Sequence, residues 1–88
     1  MKFYFVIARC VNKDGTLSNR FNQYYFYENE KAKAEAFYQK KRAGEPNTLP
    51  YQLIECDIKT KEKDGFVWSR RKAPKRVKDI YNKNAGLD

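Results

Sequence analysis

The chain has 88 residues, 41% hydrophobic and 34% charged, with a net charge of +8 and no histidine. That size fits one domain and that balance is globular rather than disordered. The lack of histidine removes the commonest general base and the usual zinc ligands other than cysteine.

A chain this short buries only about 60–65% of its unfolded surface. Its core therefore leans on seven Tyr, six Phe and one Trp. Phe3, Phe5 and Ile7 alternate with Tyr4, Val6, Ala8 and Cys10, so both faces of residues 3–11 are apolar, as in a central strand. The run holds about six apolar residues and ends at Arg9, too short for a secretory leader. Nothing approaches the roughly 18 apolar residues of a membrane span, and a cytoplasmic location is the expectation. Asn12-Lys13-Asp14-Gly15 predicts a turn. A second strand follows at Gln23-Tyr24-Tyr25-Phe26-Tyr27, with residues 16–22 as a long or bulged loop.

Asn29 suits a helix N-cap, and residues 30–43 are strong helix formers. Gly44 and Pro46 stop the helix. Ala34, Phe37 and Tyr38 form its core face. After a loop at 45–50, residues 51–58 read as a strand. Gln52, Ile54, Cys56 and Ile58 face the core; Tyr51, Leu53, Glu55 and Asp57 are partly solvated. Lys63-Asp64-Gly65 repeats the first turn, and residues 66–70 return as a fourth strand. Pro74 suits the first position of a second helix, with Val77, Ile80 and Tyr81 inward and Gly86 as its cap. The expected fold is α+β: a small antiparallel sheet with β-β-α-β-β-α order and helices packed on one face. Residues 1–88 form one domain, with a basic second hairpin and helix at 59–86.

The charge is uneven. Residues 1–58 hold nine Lys/Arg against seven Asp/Glu, and residues 59–88 hold ten against four. Such asymmetry points to a polyanionic partner or an acidic protein surface. Lys59, Lys61 and Lys63 alternate at strand spacing, and Arg70, Arg71 and Lys72 follow the fourth strand. Lys75, Arg76 and Lys78 lie on the second helix away from its apolar residues. Lys and Arg at this density neutralise phosphates and release counterions, and Trp68 could stack on a base. The competing reading is a solvated face with Trp68 in the core.

Other patterns carry less. Tyr24 and Phe26 share one strand face, Tyr25 and Tyr27 the other; one pair packs on the helix and the second either joins the core or forms a binding platform. Glu55-Cys56-Asp57-Ile58-Lys59 resembles half of a Mg²⁺-nuclease motif, but the companion upstream Asp is missing. Cys10 and Cys56 are too few for a disulfide scaffold and lack metal-ligand spacing. They read as thiols, with a bridge conceivable if their strands are neighbours, and neither has a His partner for nucleophilic catalysis. No catalytic residue, metal or cofactor is assigned. The chain reads as a binding protein, not an enzyme.

The hairpin at 3–27 feeding the helix Glu30-Lys31-Ala32-Lys33-Ala34-Glu35-Ala36-Phe37 resembles the arm-binding domain of phage-type integrases, although only one clear hairpin precedes the helix. The resemblance implies a small sheet laid against DNA and backed by the helix. The leading expectation is a nucleic-acid-binding accessory protein, acting on DNA or RNA through residues 59–78. The alternative is a small phage or mobile-element protein that inhibits a host complex through an acidic protein surface. A homodimer built through an exposed strand edge is a third arrangement.

Overall fold

The computed structural model describes residues 2–57 and 74–87. They form strands β1 (Lys2–Val11) and β2 (Leu17–Tyr27), a 3-10 turn at Glu28–Glu30, helix α1 (Lys31–Lys41), strand β3 (Gln52–Asp57) and helix α2 (Lys75–Asn84). The described order is β-β-α-β-α, an α+β arrangement. The expected turn at 63–65 and fourth strand at 66–70 lie outside the described residues.

The sheet runs β2-β1-β3, with β1 antiparallel to both neighbours. Consequently β2 and β3 run parallel to each other with β1 between them, and α1 is the crossover that joins them. The central place of β1 follows from its sequence. Phe3, Tyr4, Phe5, Val6, Ile7 and Ala8 are all buried, which requires cover on both faces of the strand.

That requirement overturns the expectation of helices on one face. Phe3, Phe5, Ile7, Ile54 and Cys56 pack with Val77 and Tyr81 of α2. Val6, Ala8 and Tyr51 pack on the other side with Phe37 and Tyr38 of α1. The two helices therefore cover opposite faces. The sheet of the integrase-like reading would need an open face; here each face carries a helix.

Three local readings also change. Strand β2 begins at Leu17, so residues 17–22 belong to the sheet, and the register shifts between Arg9 and Val11. The shift accommodates a polar stretch: the Ser18 carbonyl accepts from Arg9 Nε at 2.8 Å, and the Ser18 hydroxyl accepts from the Arg20 amide at 3.0 Å. Asn29 sits inside the 3-10 turn rather than capping α1; Glu30 instead takes the Tyr27 amide on its carboxylate at 3.0 Å. Tyr51, expected to be partly solvated, is 2% exposed, because α1 closes over its side of the sheet.

Other expectations hold. Ala34 is buried and Phe37 and Tyr38 pack on the core. Gly44 ends α1 at φ 86°, where a Cβ would lie 2.8 Å from the Leu49 carbonyl oxygen; only glycine fits that approach. Beyond it, the Val11 amide donates to the Asn47 carbonyl and the Leu49 amide to the Arg9 carbonyl, at 2.7 and 2.9 Å. The loop thus continues the pairing of β1 past the end of β3. Among the described residues, no helix is long and apolar enough to cross a membrane.

Candidate nucleic-acid interface

Helix α2 carries the basic residues that the structure describes from the expected site. Its start is set by Pro74, which caps the helix in extended backbone (φ −57°, ψ 147°) rather than occupying its first turn. The Pro74 carbonyl accepts from the Val77 and Lys78 amides at 3.0 and 3.1 Å. Its end is a Schellman closure: the Leu87 amide reaches the Asn82 carbonyl at 2.8 Å and the Gly86 amide reaches the Lys83 carbonyl at 3.2 Å, with Gly86 at φ 71°.

The inner face fixes the helix to the sheet. Val77 and Tyr81 are buried, with Ile80 and Leu87 packed beside them. Burial holds the Tyr81 hydroxyl above its ordinary pKa, and it donates to the Pro50 carbonyl at 2.7 Å. Gln52 Nε2 donates to the Tyr81 carbonyl at 3.0 Å, and Asn84 Nδ2 to Gln52 Oε1 at 3.1 Å.

The expected site residues on α2 are held differently. Lys75 is exposed and meets Asp79 at 3.6 Å, a pair in open solvent that contributes little. Arg76 donates from Nη1 to the Asp57 carbonyl at 2.8 Å, at the end of β3, and, after the amino terminus and Lys2, its charge helps hold the Asp57 carboxyl below its ordinary value. Lys78 sets its ammonium 5.5 Å from the centre of the Phe21 ring. The remaining expected residues, Lys59, Lys61, Lys63, Trp68, Arg70, Arg71 and Lys72, lie outside the described residues.

The first turn of α2 contains cations and no acid. Cations at the positive end of a helix work against its dipole, so this charge is not placed for the benefit of the helix. Helix α1 is also rich in lysine, but there Lys33 meets Glu30 at 3.7 Å and Lys41 meets Glu45 at 3.4 Å.

Sequence reasoning missed Arg9 and Phe21. Arg9 reads as the end of an apolar run and Phe21 as part of a loop. The antiparallel register pairs them directly, and the Arg9 guanidinium lies 5.8 Å from the Phe21 ring centre. An Arg within an otherwise apolar strand was the available signal, since such a charge needs a partner.

The tyrosine run is divided: Tyr25 and Phe26 are partly buried, while Tyr24 and Tyr27 stay exposed at 39% and 49%. Tyr24 and Phe26 meet Phe37 at ring-centre distances of 4.6 and 5.7 Å. Tyr25 and Tyr27 meet Phe3 on the opposite face at 6.4 and 5.6 Å. Glu55 and Asp57 are exposed at β3, and Glu55 pairs with Lys2 at 3.7 Å. Among the described residues no three His, Cys, Asp or Glu side chains gather as a metal site. Comparison with protein-family models, curated proteins and solved structures finds no match for this chain.

Proposed function

We propose that this chain is a non-enzymatic nucleic-acid-binding accessory protein, acting through a basic surface that runs from residue 59 to α2. The observation that carries the reading is the charge at the start of α2. Lys75, Arg76 and Lys78 stand in the first turns of a helix anchored by Val77 and Tyr81, without an acid in the first turn to offset the dipole. The helix that carries these cations is already folded, so binding phosphates does not have to order its backbone. The neighbouring Lys59, Lys61, Lys63, Arg70, Arg71 and Lys72 extend the same charge along the sequence, and Trp68 among them is the candidate for stacking.

Filter binding with duplex DNA and single-stranded RNA over a salt series tests this. Contact with about four phosphates lowers affinity about a hundredfold between roughly 50 and 200 mM salt. Replacing Arg70, Arg71, Arg76 and Lys78 together abolishes binding while leaving the folded circular dichroism spectrum in place. Absence of affinity for either nucleic acid at low salt sinks the reading, and a protein that survives nuclease treatment in a pull-down then takes its place as the partner.

A further inference from the structure

We infer that Arg9 and Lys78, set around Phe21, form a pre-arranged seat for one backbone phosphate of the bound nucleic acid; the inference rests on the nucleic-acid reading and deepens it. The two cations come from residues far apart in sequence, one on β1 and one on α2, and both lie within 6 Å of the same ring centre. The ring is itself fixed, with Tyr81 packed edge-on at 5.7 Å and 90°. Tyr81 is buried and tied to Pro50, so the seat is anchored to the core.

Arg9 is held with donors to spare. Its Nε donates to the Ser18 carbonyl at 2.8 Å and its Nη1 to Asn82 Oδ1 at 3.3 Å. A guanidinium has five N–H groups in a planar fork, so the outer ones remain for a phosphate oxygen pair. Both fixed partners are neutral. Among the described residues no carboxylate forms an ion pair with Arg9 or with Lys78, whereas Lys2, Lys33, Lys41 and Lys75 each have one. Both cations sit against one ring, and among the described residues neither is ion-paired to a carboxylate. A phosphate diester between them accepts from the fork and the ammonium together. The neighbouring Arg76 and Lys75 continue the positive surface along α2, which suits a polymer of phosphates better than a single phosphorylated group.

The test compares salt series on the duplex DNA or single-stranded RNA that the unaltered protein binds, for Arg9→Gln, Lys78→Gln, the double variant, and Lys40→Gln on the exposed outer side of α1. If one phosphate is shared, either single replacement weakens binding about tenfold and reduces the slope of log affinity against log salt by about 0.7 to 0.9. The double variant then loses little more than either single one, since the second cation no longer has the phosphate to share. Lys40→Gln stays within about twofold of the unaltered protein. Arg9→Gln removes two internal hydrogen bonds, so its thermal unfolding is measured alongside. Should it unfold, Lys78→Gln and Arg9→Lys still decide: Arg9→Lys keeps the slope and loses affinity with the fork. Unchanged affinity and slope in Lys78→Gln overturns the seat while leaving the nucleic-acid reading standing, as do losses that simply add in the double variant. No binding by the unaltered protein overturns both.

Discussion

Glu45 gathers donors from three parts of the chain. The Tyr51 hydroxyl reaches Oε1 at 2.6 Å, Asn22 Nδ2 reaches the same oxygen at 3.3 Å, and Lys41 Nζ reaches Oε2 at 3.4 Å. The Tyr51 hydroxyl is the main reason the carboxyl is held below its ordinary value of 4.5; Lys41 and Asn22 add to it and partial burial opposes it. Burial first, then the carboxylate, pushes the Tyr51 hydroxyl up in turn. A carboxyl whose pKa is lowered by folding contributes stability that is present above its unfolded value and lost as pH falls through its folded one. The melting temperature therefore declines as pH drops below about 4.5, and Tyr51→Phe makes that acid decline shallower while lowering stability at neutral pH. Melting curves at several pH values check this, and acid slopes that coincide would refute the role of Tyr51. None of this network was legible beforehand. Alternation along β3 assigns Tyr51 to a solvated side, and nothing in a loop glutamate announces three donors. The contact depends on α1 closing the second face of the sheet, which is a property of the whole fold.

At the scale of the element, α2 shows what local pattern can carry. Val77, Ile80 and Tyr81 at helical spacing identify its inner stripe, and Gly86 its end; both stand in the structure. Val77 is wholly buried, so Val77→Ala removes two methyl groups from a packed site and destabilises the protein by about 2 kcal/mol. For a domain of this size that is a fall in melting temperature of about 10 °C. Asp79→Ala on the exposed side loses only the pair with Lys75 and shifts it by less than about 2 °C. Equal, small effects of the two replacements would mean that α2 is not docked through Val77. Strand β2 shows the opposite case. Ser18, Asn19 and Arg20 look like loop on propensity, yet β2 runs through them, carried as an irregularity between the Arg9–Phe21 and Val11–Leu17 pairs. Tertiary pairing overrides weak local preference where a long partner strand is available.

At the scale of the molecule, the two-sided character of β1 was readable from residues 3–8, yet the expected arrangement put both helices on one face and left the other without cover. Where each helix goes was harder to read, because α1 has a diffuse apolar pattern and only the β2-β1-β3 order shows that it crosses over the sheet. The candidate site was legible as charge, through Lys75, Arg76 and Lys78; Arg9 and Phe21 needed the register of the hairpin. The same register separates the cysteines. Cys56 pairs with Phe3 while Cys10 sits opposite Thr48, which places the thiols roughly 20 Å apart along β1. A disulfide needs α-carbons within about 7 Å, so mild oxidation of the folded protein yields no monomer lighter by two hydrogens in intact-mass spectra. Appearance of that species in the folded state would contradict the register. The central position of β1 also bears on how the chain is made. It leaves the ribosome before β2 and β3, yet Phe3 waits for Cys56, about fifty residues and roughly 3–10 s of synthesis later. Residues 2–41 can close one side of the nascent sheet early. The other side, with Phe3, Phe5 and Ile7, gains the cover of α2 only when Val77 and Tyr81 emerge, so its apolar surface is completed last.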